Sequence, residues 1–256
     1  MLGPLEVTRD GEAVALGGPR QRALLAVLLL SANEVVPRER LVNALWGEEP
    51  PPTAANALQV AVHGLRKALG ADRIERAGTG YRARVDPGEL DLERFTGAVE
   101  RSRSLAADAS VAALRDALAM WRGRALADLQ ELDTLRRESQ RLEEVRLAVV
   151  ERRVEAELEA GAHDGLAAEL ERLVAEHPYR ERLQAQLMLA LYRAGRQVDA
   201  LEAYRRARVA FVDELGMDPS PELQELERRS SDRTRPSPRP HDRHGESRGS
   251  PHRPHG

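Results

Sequence analysis

The stretch ALLAVLLL, residues 23–30, sets eight apolar residues in a row without a polar interruption. Such a run has to leave water, and three structures bury it: a secretory leader, a membrane span or the central helix of a protein core. Arg20 and Arg22 precede it and small residues follow, which in outline is a leader's basic and apolar regions. The run is short and internal, however, and no stretch of the chain approaches the roughly 18 apolar residues that a spanning helix needs. The remaining reading is a helix over residues 20–32 at the centre of a small core, in a protein with no membrane partner and a cytoplasmic location.

The flanking residues supply the rest of that core. Residues 5–8 and 13–16 alternate apolar and polar around Arg9-Asp10-Gly11, and Asp-Gly is a strong tight-turn signal, so a hairpin is expected there. Gly17, Gly18 and Pro19 close it. Pro37 suits the first position of a helix over residues 38–46, with Leu41, Val42, Leu45 and Trp46 inward and Gly47 at its end. After a proline-rich loop, Thr53 starts or caps a longer helix that ends at Gly70. A second hairpin follows, residues 73–77 and 81–85, around Gly78-Thr79-Gly80. Hairpin, buried helix, helix, loop, long helix and hairpin is the order of a winged helix-turn-helix, expected over residues 1–88, whose third helix enters the DNA major groove and whose last hairpin is the wing.

Beyond Pro87 only helical periodicity remains, over residues 93–107, 110–121, 136–160, 165–177, 180–194 and 197–215. Aromatic residues make up 3% of the chain, so these cores rest on Leu, Val and Ala. Gly161 and Gly195 end successive helices 34 residues apart, the tetratricopeptide period. Repeats of this kind stack to bury their faces, so residues 89–230 are expected to form one all-α, tetratricopeptide-like domain, separable from the DNA-binding part near residues 87–91. The fold class expected is therefore mainly α, with small β-sheets at the N-terminus. Residues 231–256 are rich in Pro, Arg, His and Gly and read as a disordered tail. Four of the seven histidines lie there, but low complexity accounts for them better than a metal site, and no metal is expected.

Chemistry narrows the function. The absence of Cys excludes a disulfide framework, a thiolate metal site and a Cys nucleophile. His63, His163 and His177 are scattered, and HExxH, GxSxG and P-loop motifs are missing, so neither an enzyme nor a cofactor is expected. Net charge is only −3, so a nucleic-acid surface has to be a local concentration of base. Between residues 66 and 84, Arg66, Lys67, Arg73, Arg76, Arg82 and Arg84 face only Asp72 and Glu75. The helix NALQVAVHGLRKALG, residues 56–70, shows the same bias at finer scale. Leu58, Val62, Leu65 and Leu69 form its apolar face, while Asn56, Val60, His63 and Lys67 recur on the opposite one. An amide bonds adenine, valine meets a thymine methyl, and imidazole and ammonium donate to guanine. The base-reading candidates are Asn56, Gln59, Val60, His63 and Lys67. The backbone candidates are Arg20, Thr53, Arg66, Thr79, Arg82 and Arg84.

The segments LGPLEV, LGGPRQRALLAVLLLSAN, LVNALWGEEPPPTAANALQVAVHGLRKALG and GTGYRARV resemble the DNA-binding half of the Streptomyces antibiotic regulatory protein (SARP) family. LAMWRG, RLEEVRLAVVERRVEAELEAG, LVAEHPYRERLQAQLMLALYRAGRQVDALEAYRRAR and ELGMDPSPEL are similar to the bacterial transcriptional activator domain that accompanies it. The resemblance covers roughly residues 2–228. It implies an OmpR-type winged helix joined to a tetratricopeptide-like domain. It also implies an activator of a secondary-metabolite gene cluster that binds direct repeats in double-stranded DNA beside a second copy of itself and recruits RNA polymerase holoenzyme. Gly64 stands where related recognition helices often carry a larger polar or basic residue. The competing reading is a helical-repeat scaffold whose winged helix mediates protein contacts.

Overall fold

In a computed structural model of the chain, residues 1–163 and 165–232 are described. They fall into two compact units, Met1–Leu166 and a second that begins at Ala167. The greater part of the expected tail, and with it four of the seven histidines, lies outside the described residues.

The first unit opens with β1 (Thr8–Arg9) and β2 (Glu12–Ala13), an antiparallel pair turned by Asp10 and Gly11 at φ 54° and 84°. Both central residues have positive φ, the requirement of the tightest hairpin turn. The ladder is shorter than the expected hairpin, because Leu5 enters the core instead of pairing; the Val14 amide still donates to Val7 at 2.8 Å. Helix α1 (Pro19–Leu30) follows with proline in its first turn, and Ala23 through Leu28 are buried without exception. Next come β3 (Val36–Pro37), α2 (Arg38–Trp46), α3 (Ala54–Leu69), β4 (Ile74–Ala77) and β5 (Gly80–Ala83).

β5 lies between β3 and β4 in an antiparallel sheet, with Val36 opposite Tyr81 and Ile74 opposite Ala83. Pro37 is therefore the end of a strand, extended at ψ 146°, and precedes α2 instead of opening it. Gly80 is dictated by this sheet: a Cβ there would stand 2.0 Å from the Val36 carbonyl oxygen. The element order is that of a winged helix, with α1 central, α3 third and β4–β5 as the wing.

The same unit continues through α4 (Asp91–Arg101), α5 (Ala107–Ala119) and α6 (Asp133–Glu159), with tight helical turns at Ser102–Ser104 and Ala127–Leu129. Phe95 and Trp121 meet edge to face, centroids 5.4 Å apart, inside a core shared with Leu114, Leu142 and Leu2. The expectation of a separable junction at residues 87–91 meets a physical obstacle here. Leu126, Leu129 and Leu135 are buried in the core that holds Leu24, Leu41, Leu58, Leu65 and Tyr81. Polar ties run the same way: the Leu5 amide donates to Asp128 at 2.7 Å, Arg22 Nε donates to the same carboxylate at 2.9 Å, and the Arg122 amide donates to Leu2 at 2.7 Å.

The second unit contains α7 (Leu166–Glu176) from its second residue onward, α8 (Glu181–Arg193), α9 (Gln197–Leu215) and α10 (Pro221–Asp232). Helices α8 and α9 pack together: Ala200, Ala203 and Ala207 are buried on α9, and Leu183, Leu187 and Leu191 on α8. Gly195 turns between them at φ 77°. Helix α10 is not among the expected helical spans, the last of which ends at residue 215. Ser220-Pro221 is a helix start: the Ser220 amide donates to Glu181 at 2.8 Å, Leu223 is buried, and the helix takes in Ser231 and Asp232 from the expected tail.

Candidate nucleic-acid interface

Helix α3 sorts its residues as its periodicity demands. Ala54, Leu58, Ala61, Val62 and Leu65 are buried, while Leu69 is only half-buried. Asn56, Gln59, Val60, His63 and Lys67 are all exposed, Val60 to 63%, and form one uninterrupted stripe.

The ends of α3 are held from outside. Gly70 terminates it at φ 110°, and the Arg9 guanidinium donates to the Leu69 carbonyl at 2.7 Å, bringing a cation to the negative end of the helix. Thr53 precedes the first turn in helical geometry, and its hydroxyl makes no cap. The capping expectation is thus corrected: Thr53 contributes its carbonyl, to the Ala57 amide at 2.9 Å, and leaves an exposed side chain.

The backbone candidates are less uniform. Arg20 is exposed in the first turn of α1, with its guanidinium carbon 5.6 Å from the centroid of the Trp46 ring. Trp46, expected inward, is only half-buried under that cation. Thr79 is exposed at the tip of the wing. Arg82 is half-buried, and its Nε has no hydrogen-bond partner among the described residues. Arg84 is paired with Glu75 at 3.0 Å. Arg66 departs most from a free phosphate contact: it is half-buried and its Nε donates to the Ile74 carbonyl at 2.7 Å, tying α3 to β4.

Electrostatics trim the basic cluster further. Arg73 forms a two-pronged bond to Glu89 at 2.8 and 2.9 Å and lies 3.3 Å from Asp86. That bond raises the Arg73 pKa; the Asp86 amide and the Arg73 guanidinium together pull the Glu89 carboxyl below its ordinary range. Arg73 and Arg84 therefore count for less than a sequence tally assigns them. Lys67 and Arg76 stay exposed with no ion pair among the described residues.

One residue escaped the sequence reading. The Gln21 carboxamide reaches from α1 toward α3, where Gly64 leaves it room. The signal was present: a glycine inside a helix costs about 1 kcal/mol relative to alanine, so Gly64 marks a close approach.

No group of three or more His, Asp or Glu side chains among the described residues is arranged to hold a metal ion. No described helix is long and apolar enough to cross a membrane.

Comparison with known proteins agrees with this architecture. Residues 11–83 match the family described as transcriptional regulatory protein, C terminal, and residues 90–229 match the bacterial transcriptional activator domain. Regulatory protein DnrI of Streptomyces peucetius is 39% identical over 242 residues, 89% of each chain. Regulatory protein AfsR of Streptomyces coelicolor is 44% identical over 235 residues, 90% of this chain but 24% of that protein, so the chain spans about a quarter of that relative. The structure of Mycobacterium tuberculosis EmbR in complex with a low affinity phosphopeptide superposes with a TM-score of 0.85 at 38% identity, over 93% of this chain and 65% of that one.

A winged helix followed by this helical partner defines a class of transcriptional regulators. Within that class, the chain belongs to the SARP family of transcriptional activators.

Proposed function

We propose that the protein is a sequence-specific DNA-binding activator that lays α3 in the major groove. The observation that supports this reading best is the bare stripe Asn56, Gln59, Val60, His63 and Lys67 on a helix whose opposite face is fully committed to the core. In that docking the stripe meets base edges. Arg20, Thr53, Thr79, Arg82 and Arg84 lie against phosphates, whereas Arg66 serves chiefly to hold the wing to α3. Residues 1–88 carry the reading elements and residues 89–230 the activating ones, with the start of α6 and the turn before it completing the core of the reading part.

The target we infer is the promoter of a secondary-metabolite gene cluster. It carries direct repeats that seat two copies of the chain side by side and bring RNA polymerase holoenzyme to the start site. The named roles of the Streptomyces relatives support a regulatory function. The test is a footprint on promoters followed by titration against the protected duplex at two salt concentrations. Steep salt dependence with sequence preference is the expected result. Binding with neither property would favour a protein-contact role for the winged helix and overturn the reading.

A further inference from the structure

The carboxamide of Gln21 occupies the space that side chains at two other positions would fill. A Cβ on Gly17 would stand 1.2 Å from Gln21 Oε1, and a Cβ on Gly64 would stand 1.4 Å from Gln21 Nε2. Gly17 belongs to the loop before α1 and Gly64 to the interior of α3, so two chain segments leave room for one amide. Gln21 is half-buried, yet its carboxamide has no hydrogen-bond partner among the described residues, and neither polar atom is sealed from solvent. A polar group so placed keeps its donors and acceptor for an outside partner.

The position identifies that partner. At 3.6 residues per turn, Gly64 lies about 80° around α3 from Asn56, beside Val60 and Lys67 at the edge of the stripe. When the stripe faces base edges, a group a quarter-turn away faces the groove wall, which is sugar and phosphate. Gln21 is also in the first turn of α1, next to exposed Arg20, where the helix dipole favours an anion.

We propose that Gln21 is a DNA-backbone contact supplied by α1, donating from Nε2 to a phosphate at the groove edge, and that Gly64 is glycine to admit it. The proposal rests on the docking of α3 described above. It accounts for a larger polar residue being absent from position 64: the polar group there comes from another helix.

The test uses the full chain, the footprinted duplex, its single-base variants and a scrambled duplex of equal length. Q21A should weaken binding to all of them by one common factor, roughly three- to tenfold, the net worth of a single ordinary hydrogen bond. The salt slope should not change, because an amide releases no counterion. G64A displaces the carboxamide and should reproduce the loss, and the double variant should bind no worse than either single one. Q21E has nearly the same shape, so it controls for folding, and its charge should weaken binding beyond Q21A. Unchanged binding by Q21A, a loss confined to one base pair, multiplying losses in the double variant, or Q21E binding as well as the parent would each overturn the proposal. H63A and K67A are measured alongside: if they too leave DNA binding untouched, the docking of α3 is what has failed, whatever Gln21 does.

Discussion

Helices α1 and α3 share one core and use it in opposite ways. α1 buries six consecutive residues, Ala23 through Leu28, so nearly every position around it answers to packing. α3 is longer, 16 residues against 12, yet it buries only one face and leaves the other without any structural duty. The difference separates two kinds of constraint. Substitution anywhere in the middle of α1 should register as stability, whereas substitution on the outer face of α3 should register as recognition with the fold intact.

The largest effect expected from breaking this contrast is on the core itself. Leu28→Ala and Leu65→Ala should each destabilise the first unit by about 2–5 kcal/mol, read from thermal or urea unfolding of the full chain. A fragment ending at Asp91 should unfold without cooperativity, because it lacks Leu126, Leu129 and Leu135. If that fragment melted sharply at the parent's temperature, the shared core would be wrong.

On the outer face the order of effects reverses. Lys67→Ala and His63→Ala should leave the melting temperature nearly unchanged and cost roughly 1–3 kcal/mol of binding, each relaxing preference at one base pair. Arg82→Ala, on the wing, should weaken all sequences alike and flatten the salt slope by about one unit. Competition titrations against a set of single-base variants distinguish these outcomes. Uniform losses from all three would mean that α3 lies outside the groove.

The contrast between the two helices was legible in the sequence, because both rest on periodicity: the unbroken apolar run of α1 and the spacing of Leu58, Val62 and Leu65. What escaped depends on contacts between distant residues. β3 is two residues long and exists only because Val36 meets Tyr81, a pairing that no local pattern announces. The packing of Leu126 and Leu129 beside Leu41 and Leu65 likewise needs the chain to return. Among the candidate contacts, exposure of the α3 stripe followed from the helical period. The engagement of Arg66 by Ile74 and of Arg84 by Glu75 did not, since a tally of charges cannot tell a free guanidinium from a committed one.

A smaller effect concerns how the two halves of the first unit are joined. Burial pushes the Asp128 carboxyl up, but bonds from the Leu5 amide and Arg22 outweigh it and hold the group below its ordinary value of 3.8. A carboxyl lowered on folding contributes stability that is complete above about pH 5 and is lost progressively as the pH falls past its ordinary value and through its folded one. Asp128→Asn should therefore cost about 1 kcal/mol near neutrality, discounted for partial exposure, and the difference from the parent should shrink below about pH 5. Unfolding measured across that range, with a gap independent of pH, would assign the stabilisation elsewhere.

The smallest effect probes the wing, where an acidic residue competes for a candidate phosphate contact. Glu75 on β4 stands opposite Arg82 on β5 and bonds Arg84 instead, at 3.0 Å, with both partners substantially exposed. An exposed pair of this kind contributes between 0 and about 1 kcal/mol to folding, so removing it should scarcely move the melting temperature. Its effect on DNA binding has the opposite sign. A phosphate that approaches Arg84 has to displace Glu75 and meets a like charge while doing so. Glu75→Gln keeps the shape, removes the charge and frees the guanidinium. Affinity at low salt should then rise by about twofold to fivefold, with a salt slope steeper by up to about one unit as Arg84 becomes available to release a counterion. Titrations of parent and variant over a range of salt concentrations measure both quantities, and a variant with unchanged affinity and slope would remove Arg84 from the set of backbone contacts, leaving Arg82 and Thr79 as the wing's share.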